Sequence, residues 1–307
     1  MNNPSIKIAI AIVLYNPKDI NRLRECITSA EKISNNIYIF DNSDNSINYD
    51  FSLDIKYFTN NKNCGLAFAL NYLVECAKND GFEWIITLDQ DSIIPDGIID
   101  EYKKIILNTE NLGIVCPQVI DSRRKYLEIK KEPKVENVDF CITSGSCISI
   151  KAWEKVGKFD EWLFIDLIDN DFCKRLVVSG YNIIRLNNII LNQQYGEIKE
   201  KNKCVRDFWI SLSKILHNVN IAKLSYKKTV NPIRVYYTCR NIIYVNKKLG
   251  LYGKTGYENY NCKSYIGFIF CFIIPSIFRS NKKIETIKSV FNGTIDGINK
   301  NVEKFSL

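Results

Sequence analysis

The chain has 307 residues, 46% of them hydrophobic and 25% charged, which is ample for a globular core in one large or two modest domains. Its only histidine, His217, argues against a histidine-rich metal site or a histidine-based catalytic triad. The formal net charge of +8 favours anionic partners such as nucleotides, nucleic acid or an acidic membrane surface.

The cysteines and the N-terminus indicate the cellular compartment in which the protein is found. The eleven cysteines are scattered and never fall in a Cys-x-x-Cys pair, which indicates reduced core residues of a cytosolic protein. Met1 to Ile6 lacks the basic and long apolar regions of a signal peptide. We therefore expect the chain to stay in the cytoplasm.

The first part of the chain alternates short apolar runs with helical patterns. We expect strands at residues 6–14, 37–40, 55–58, 84–88 and 114–117, and helices from Asp19, over 66–78 and over 98–107. Strand–helix–strand spacing of this kind predicts parallel βαβ units. Residues 121–137 are expected to form an exposed loop or hairpin, and residues 181–191 one or two short strands.

The run from Trp84 to Ser92 ends a buried strand in two acids, Asp89 and Asp91. Open α/β sheets bind ligands beyond the carboxyl ends of their strands. Carboxylate oxygens in that position suit Mg²⁺ or Mn²⁺, often bridged to substrate phosphates. The alternative interpretation is a solvated turn, because Asp and Ser favour turns.

Two polar segments have both a functional and a structural interpretation. Asn61 to Gly65 leads into a helix, whose N-terminus either holds an anion or is an ordinary capped end. Ser144, Gly145 and Ser146 lie between apolar runs. Small residues there permit close backbone approach to a ligand, or simply a tight strand bend.

Asp166, Asp169 and Asp171 precede an amphipathic helix that ends at Gly180. The helix dipole favours acids at this end, but carboxylates among apolar neighbours cost free energy unless they are paired or used. Arg175 is spaced to pair with Asp171 on the helix surface. Asp169 has no local cationic partner, which predicts a general base.

From Lys201 onward the sequence becomes basic, rich in aromatic residues and helical in pattern. Tyr265 to Phe278 is as apolar as a membrane span, but it is shorter than the roughly 20 residues that crossing requires. Lys282 and Lys283 beside it fit a segment lying in a membrane interface. A buried core helix is the equally supported alternative.

Taken together, these motifs resemble the inverting family 2 glycosyltransferases, particularly the rhamnosyltransferase-like branch of bacterial surface-polysaccharide synthesis. The motifs that carry the resemblance are Val13 to Asn16, Asp41 to Ser43, Asn63 to Asn71, Leu88 to Ser92, Thr143 to Ser146, Phe164 to Arg175 and Tyr236 to Asn241. The resemblance implies an α/β protein of the GT-A fold with a mostly parallel central sheet flanked by helices. It places the catalytic domain at residues 1–200 and a basic, helical, membrane-associated extension packing on it at residues 201–307.

The resemblance also implies roles for individual residues. The residues implied to bind the nucleotide sugar are Tyr15, Asn16, Asp41, Asn63, Gly65, Asn71, Asp89 and Gln90, and those implied to bind the metal are Asp91, Asp89 and Gln193. Asp169 is implied to be the catalytic base, supported by Asp171. The residues implied to bind the acceptor are Ser144, Gly145, Ser146, Asp166 and Arg175. Two positions depart from the family pattern. Ile168 stands where many relatives have an acid before the base, and Gln193 stands where many have a metal-contacting histidine. A glutamine carbonyl is a weaker, neutral ligand for a hard cation.

The implied function is an inverting, Mg²⁺- or Mn²⁺-dependent transfer of L-rhamnose from dTDP-rhamnose to a polyprenyl-diphosphate-linked glycan. It would serve O-antigen or capsule synthesis at the inner face of the cytoplasmic membrane. UDP-galactofuranose, UDP-glucose or UDP-galactose are alternative donors. A remote alternative is a non-enzymatic module that binds nucleic acid or membrane through its basic C-terminal part. Strand-end carboxylates argue against nucleic acid as a partner, because they repel phosphates without a metal. The sequence leaves the oligomeric state open.

Overall fold

The computed structural model describes residues 6–47, 49–52, 54–194, 196, 198–217 and 219–307; residues 1–5, on which the expectation of no signal peptide rests, lie outside these ranges. The strands are β1 (Ile8–Leu14), β2 (Ile37–Asp41), β3 (Lys56–Thr59), β4 (Trp84–Asp89), β5 (Ser92–Ile93), β6 (Leu112–Ile120), β7 (Val135–Asn137), β8 (Cys147–Ser149), β9 (Asn182–Gln193), β10 (Ile198–Glu200) and β11 (Tyr226–Lys228). The helices are α1 (Ile20–Glu31), α2 (Leu66–Asn79), α3 (Ile98–Asn108), α4 (Ile150–Lys155), α5 (Ile168–Val178), α6 (Lys203–Ile215), α7 (Val219–Ala222), α8 (Pro232–Lys248), α9 (Thr255–Glu258), α10 (Tyr265–Phe268), α11 (Ile274–Arg279) and α12 (Lys283–Asn299).

The main sheet has the strand order β3-β2-β1-β4-β8-β6-β9-β5, with β7 also paired to β9. Parallel pairing joins β3, β2, β1 and β4, and again joins β6 and β9. The predicted α/β architecture is confirmed. The sheet also contains antiparallel pairs, because β8 runs antiparallel to β4 and β6 between them.

The central strands are buried on both faces by helices. Every residue of β1 and β2 is buried. One face packs against α1 and α3, through residues such as Leu23 and Tyr102. The other face packs against α2, α4, α5 and α8, through residues such as Leu70, Trp153 and Phe172. Burial on both faces explains why β1 is an uninterrupted apolar run in the sequence.

The structure gives the detailed form of several elements that the sequence predicts. Asp19 caps α1 by accepting a hydrogen bond of 3.0 Å from the backbone N–H of Arg22. Residues 181–191 fall in one long strand, β9. The segment 121–137 ends in the short strand β7, which pairs with β9. All eleven cysteines are free, as the sequence predicts.

The C-terminal helices share the hydrophobic core of the sheet. Val235, Cys239, Ile242 and Val245 of α8 are buried in the cluster that also contains Trp153. Helix α12 packs closely on α8. A Cβ on either Gly293 or Gly297 would collide with backbone carbonyls of α8, so these glycines permit the close approach.

The apolar segment from Tyr265 to Phe278 is partly buried in the core and partly exposed, and its contact with a membrane stays a prediction. It forms α10, a π-helical turn at Ile269–Ile273, and α11. Phe268 and Ile273 lie in the core, whereas Phe270 and Phe278 are exposed. Among the described residues, no helix has the length and hydropathy needed to cross a bilayer.

Candidate active site

Three parallel strands end at the same edge of the sheet. The register of β1 and β2 pairs Leu14 with Asp41, and that of β1 and β4 pairs Val13 with Asp89. The loops after β1, β2 and β4 therefore open side by side. This carboxyl edge is where open α/β sheets bind their ligands.

The loop after β1 is fixed to the loop after β4. The backbone N–H of Tyr15 donates to Gln90 Oε1 over 2.7 Å, and Gln90 Nε2 donates to the Tyr15 carbonyl over 3.1 Å. The N–H of Asn16, which has φ of 40°, donates to Ser43 Oγ over 2.8 Å. The predicted donor-binding residues Tyr15, Asn16 and Gln90 are thus brought together, and the Tyr15 side chain remains half-exposed.

Asp41, at the end of β2, is bonded to its own loop. Its carboxylate is fully buried. It accepts hydrogen bonds from the N–H of Ser43 (3.0 Å), the N–H of Ile47 (2.8 Å) and the hydroxyl of Tyr57 (2.7 Å). The carboxylate therefore shapes the loop after β2, and contact between Asp41 and the nucleoside stays a prediction.

The turn before α2 is built by amides. Asn63 Oδ1 accepts from Asn42 Nδ2 and from the N–H of Gly65, both over 3.0 Å. Gly65 has φ of +92°, and a Cβ there would lie 2.7 Å from Cδ2 of Phe164. Glycine is required because α2 begins in contact with the acidic segment that contains Phe164. Donor contact by Asn63 and Gly65 stays a prediction.

Asn71 lies inside the protein rather than in the site. Its Oδ1 accepts from Trp153 Nε1 over 3.1 Å and from the N–H of Phe159 over 3.0 Å. Its Nδ2 donates to the carbonyl of Phe159 and to Glu161, each over 2.9 Å. Both polar atoms of its side chain thus join α2 to α4 and to the segment after α4, and donor binding by Asn71 stays a prediction.

Asp89, Asp91 and Gln193 lie close together at the edge of the sheet. Gln193 Nε2 donates to Asp89 Oδ2, and Ser92, next to Asp91, is the register partner of Gln193. Two oxygens here are buried without any hydrogen-bond donor, namely Asp91 Oδ1 and Gln193 Oε1. Buried oxygens of this kind are costly unless a cation or donor satisfies them.

The donor set of this cluster fits a hard divalent cation. Within the described ranges, no group of three or more His, Cys, Asp or Glu side chains could hold a metal. The ligands would therefore be the two carboxylates with the Gln193 carbonyl, all oxygen donors of the type that Mg²⁺ and Mn²⁺ prefer. Burial, followed by the charge of Asp89, raises the pKa of Asp91 to about 7, and burial also raises the pKa of Asp89.

Asp169 occupies the first turn of α5, behind the metal-type cluster. Leu167, at the N-cap, has φ of 63°. Burial, then the charges of Asp89 and Cys141, raise the pKa of Asp169 to about 8, while hydrogen bonds from the side chain and backbone of Thr143 oppose the rise. The carboxylate borders a small cavity that is also lined by Phe172. A raised pKa close to neutrality suits a general base.

The segment 143–146 links the two acidic centres. Ser144 Oγ accepts from the N–H of Asp89 over 3.1 Å and lies 2.7 Å from Ser92 Oγ. Gly145, with φ of +81°, donates its N–H to the Thr87 carbonyl over 2.7 Å. Ser144 and Ser146 are buried. Ser144, Gly145 and Ser146 form a tight bend held against β4, and their contact with an acceptor stays a prediction.

Asp171 and Arg175 form a buried pair rather than a pair on the helix surface. Arg175 donates to Asp171 over 2.9 Å through Nε and to the carbonyls of Val156 and Lys158 over 2.5 and 2.8 Å. Lys248 of α8 lies 2.9 Å from Asp171 Oδ1. The guanidinium of Arg175 is bonded inside the fold, and acceptor binding by Arg175 stays a prediction. The same pair fixes Asp171 within α5, and its supporting role in catalysis also stays a prediction.

Asp166 is a partly buried member of the acidic segment. Arg234 of α8 donates two hydrogen bonds to the Asp166 carboxylate, from Nε to Oδ2 over 2.8 Å and from Nη2 to Oδ1. Thr238 Oγ1 lies 3.4 Å from the same oxygen. The positive charge of Arg234 also opposes the rise in the pKa of Asp89. Arg234 therefore lies within electrostatic range of both acidic motifs.

Helix α8 contributes residues that the sequence reasoning did not assign to the site. Asn241 Nδ2 donates to the carbonyls of Leu163 (2.7 Å), Ile165 (2.8 Å) and Asp166 (2.9 Å). The guanidinium of Arg240 lies 3.9 Å from the centre of the Trp162 ring. The available signal was a polar Asn241 on the apolar face of a predicted helix.

The sequence model of a family described as "Glycosyl transferase family 2" matches residues 9–166. The chain is 27% identical over 259 residues to the dTDP-rhamnosyl transferase RfbF of Shigella flexneri, covering 78% of this chain and 80% of that protein.

Two solved structures resemble the fold. GalNAc-T7 with UDP, GalNAc and Mn²⁺ has a TM-score of 0.52 at 13% identity, covering 87% of this chain. TarS of S. aureus has a TM-score of 0.49 at 13% identity, covering 70% of this chain. This chain spans 57% and 42% of those two chains, respectively. At such identity the likeness to GalNAc-T7 is one of fold alone.

Proposed function

Because this chain belongs to glycosyl transferase family 2, we propose that it transfers a sugar from a nucleotide diphosphate to an acceptor hydroxyl, with inversion at the anomeric carbon. The roles of individual residues are part of the proposal. Tyr15, Asn16 and Gln90 would contact the nucleoside at the edge where β1 and β4 end.

The observation that carries the proposal is the pair of buried oxygens without donors, Asp91 Oδ1 and Gln193 Oε1, beside Asp89 and close to Asp169. A divalent cation held by Asp91, Asp89 and Gln193 would neutralise the leaving diphosphate as a Lewis acid. Inverting displacement needs one carboxylate base on the opposite side of the sugar. Asp169 is a partly buried acid within electrostatic reach of the metal-type cluster.

Asp169 would accept the proton of the acceptor hydroxyl while that oxygen attacks the anomeric carbon. The C–O bond to the acceptor forms as the bond to the diphosphate breaks, and the proton is transferred to Asp169. Thr143 holds the carboxylate in place by hydrogen bonds. Asp171 and Arg175 keep α5, and with it Asp169, in position.

The donor that best fits is dTDP-L-rhamnose. The support is the name of the relative RfbF, a dTDP-rhamnosyl transferase that shares 27% identity and most of its length with this chain. UDP-galactofuranose, UDP-glucose and UDP-galactose are the alternative donors within the family, and a donor panel separates them.

The acceptor in this proposal is a polyprenyl-diphosphate-linked glycan of O-antigen or capsule synthesis at the inner face of the cytoplasmic membrane. Supporting features are the net charge of +8 and the basic residues that follow Lys201. We further propose residues 1–200 as the catalytic domain and residues 201–307 as an extension that braces it. The packing of α8 on the acidic segment supports that division of work.

A donor-hydrolysis panel tests the function. Purified chain is mixed with Mg²⁺ or Mn²⁺ and dTDP-, UDP- or GDP-sugars, and nucleotide release is followed. Asp91→Ala should abolish release, whereas Asp96→Ala, which removes an exposed acid five residues later, should not. Release from dTDP-rhamnose supports the donor, and release from a UDP-sugar replaces it. The function would be contradicted if none of these donors released nucleotide and none of the nucleotides stabilised the chain against thermal unfolding.

A further inference from the structure

The C-terminal segment forms a two-helix layer over α8. The hydroxyl of Tyr265 in α10 lies 2.7 Å from Thr294 Oγ1 in α12. At the other end, Thr286 Oγ1 donates to Ser280 Oγ over 2.7 Å. The α10–α11 segment and α12 therefore lie side by side and antiparallel, with one side of the layer on the core.

Helix α12 has an apolar stripe on its outer side. Residues Thr286, Gly293 and Gly297 face inward and are buried. The opposite side carries Ile284, Ile287, Phe291, Ile295 and Ile298, at steps of three and four residues along the helix, between 37% and 72% exposed. Side chains at that spacing form one continuous stripe. A helix that only covered a core would not need a second apolar side.

The neighbouring segment continues the apolar surface. Ile266, Phe270 and Phe278 are 66–77% exposed. Single exposed apolar residues are ordinary, but a contiguous group on adjacent helices marks an interaction surface. This group and the α12 stripe together are called the outer layer surface below.

The charge at the turn between α11 and α12, beside the outer layer surface, is predominantly positive. Residues 259–284 contain Lys263, Arg279, Lys282 and Lys283 and no acid. Glu285, the next residue, pairs with Lys282 over 3.1 Å. Lys223 lies nearby: burial, then the charges of Arg124 and Arg279, lower its pKa. Cations gathered beside exposed apolar side chains match an anionic, apolar interface.

We propose that the outer layer surface docks on an anionic lipid bilayer, with α12 lying in the plane of the interface. Ile266, Phe270, Phe278 and the α12 stripe would enter the acyl boundary, and Lys282 and Lys283 would meet the headgroup phosphates. This surface extends beyond the segment that the sequence singled out, because it adds the whole of α12.

The charge pattern favours a bilayer over a second copy of the chain. A two-fold contact through this surface is isologous, so it would place the same cluster of lysines and arginine on both sides of one interface. Like charges brought together cost free energy. A bilayer containing acidic lipids instead supplies the opposite charge and an apolar layer at once.

Vesicle flotation of the full chain tests the proposal without any donor or acceptor, so its outcome is independent of glycosyl transfer. The vesicles are phosphatidylcholine alone, or phosphatidylcholine mixed with phosphatidylglycerol. The test variant is Phe270→Ser with Phe291→Ser. The matched control is Leu107→Ser, which removes an exposed apolar side chain from α3. A charge variant, Lys282→Glu with Lys283→Glu, is matched by Lys151→Glu on α4.

We expect binding to the mixed vesicles that exceeds binding to phosphatidylcholine alone. The two-phenylalanine variant should bind at least about tenfold more weakly, because each buried aromatic ring contributes to partitioning. The charge variant should lose the preference for acidic lipid, and both controls should bind as the wild type. Thermal unfolding confirms that each variant is folded.

Equal flotation of the folded two-phenylalanine variant and the wild type would overturn the proposal. It would also be overturned if the wild type failed to bind either vesicle. A wild-type dimer by light scattering that becomes a monomer in the two-phenylalanine variant, with no vesicle binding, would assign the surface to a second copy instead.

Discussion

The side-chain amide of Asn241 donates to the backbone carbonyl of Asp166 over 2.9 Å, joining α8 to the acidic segment across 75 residues of sequence. The same nitrogen serves the carbonyls of Leu163 and Ile165. Phe164, Asp166 and Leu167 all have positive φ. Such backbone conformations cost free energy and persist only where the surroundings over-determine them. Asn241 is a large part of those surroundings, and Asp169 lies three residues beyond Asp166.

Replacing Asn241 with alanine should therefore affect both stability and turnover. We expect the free energy of unfolding to fall by about 1–3 kcal/mol, because buried carbonyls lose their donor. We also expect kcat to fall by about tenfold or more with little change in the donor KM, since Asp169 is displaced while the donor loops are not. Asn292→Ala, on the exposed side of α12, is the control. A destabilised variant with unchanged kcat would show that α8 has a purely structural role.

The glutamine in the metal-type cluster makes a second prediction. Gln193→Leu removes the buried carbonyl oxygen and should weaken Mn²⁺ binding by about 10-fold, as measured by calorimetry in the presence of nucleotide. Gln193→His should strengthen it, because imidazole is a better ligand for transition metals than a neutral amide oxygen. Gln194→Leu is the neighbouring control. Unchanged Mn²⁺ affinity in Gln193→Leu would remove Gln193 from the ligand set.

The partly buried acid Asp169 predicts a pH-dependent cost to stability. Its pKa is raised in the folded chain to about 8. The folded state therefore binds more protons than the unfolded state between the ordinary carboxyl pKa and about 8, and stability falls as pH rises through that window. Asp169→Asn removes this cost, so it should be more stable than the wild type by about 1–3 kcal/mol at the upper end of the window and show a smaller difference near pH 4.

Urea unfolding of the two proteins across that pH range measures the difference. The gain of Asp169→Asn over the wild type should grow with pH. Asp139→Asn, at a loop acid outside the site, should show no such trend. A gain that is constant with pH, or that shrinks as pH rises, would mean that the carboxylate is not held in an environment that disfavours its charge.

The pair of Asp171 and Arg175 should behave as a structural unit. Arg175→Ala leaves Asp171 buried with only Lys248 and should cost about 3–5 kcal/mol of stability. Lys174→Ala, at the preceding position of α5, should lower the stability far less. The acceptor KM of the folded fraction should not change in either variant. A large rise in acceptor KM for Arg175→Ala, without loss of stability, would support the prediction that Arg175 binds the acceptor and contradict a purely structural role.

The family and the GT-A fold were predictable from the sequence and are confirmed. The reason is local: apolar runs ending in polar residues mark strands and their carboxyl ends, and the order of motifs along the chain is itself specific. Asp89, Asp91 and Gln193 meet at one edge, as predicted. Their roles as metal ligands, and that of Asp169 as base, stay predictions.

The sequence could not reveal which polar side chains form hydrogen bonds inside the folded protein. Asp41 and Asn71 occupy family-type motifs, yet their atoms are satisfied by Tyr57 and Trp153 from distant elements. Burial of this kind depends on tertiary packing rather than on local pattern. Asn241 was missed for the same reason, because its acceptors lie 75 to 78 residues earlier in the chain.

The most direct test of the account is the transfer rate of Asp169→Asn with the donor that the panel identifies. We predict a loss of about 10²–10⁴-fold in kcat, since the general base is removed, while the thermal shift with donor nucleotide stays at the wild-type level. In the wild type, kcat should rise with pH and level off above about 8, as Asp169 loses its proton. A folded Asp169→Asn protein that keeps most of its transfer rate would contradict the assignment of Asp169 as the base.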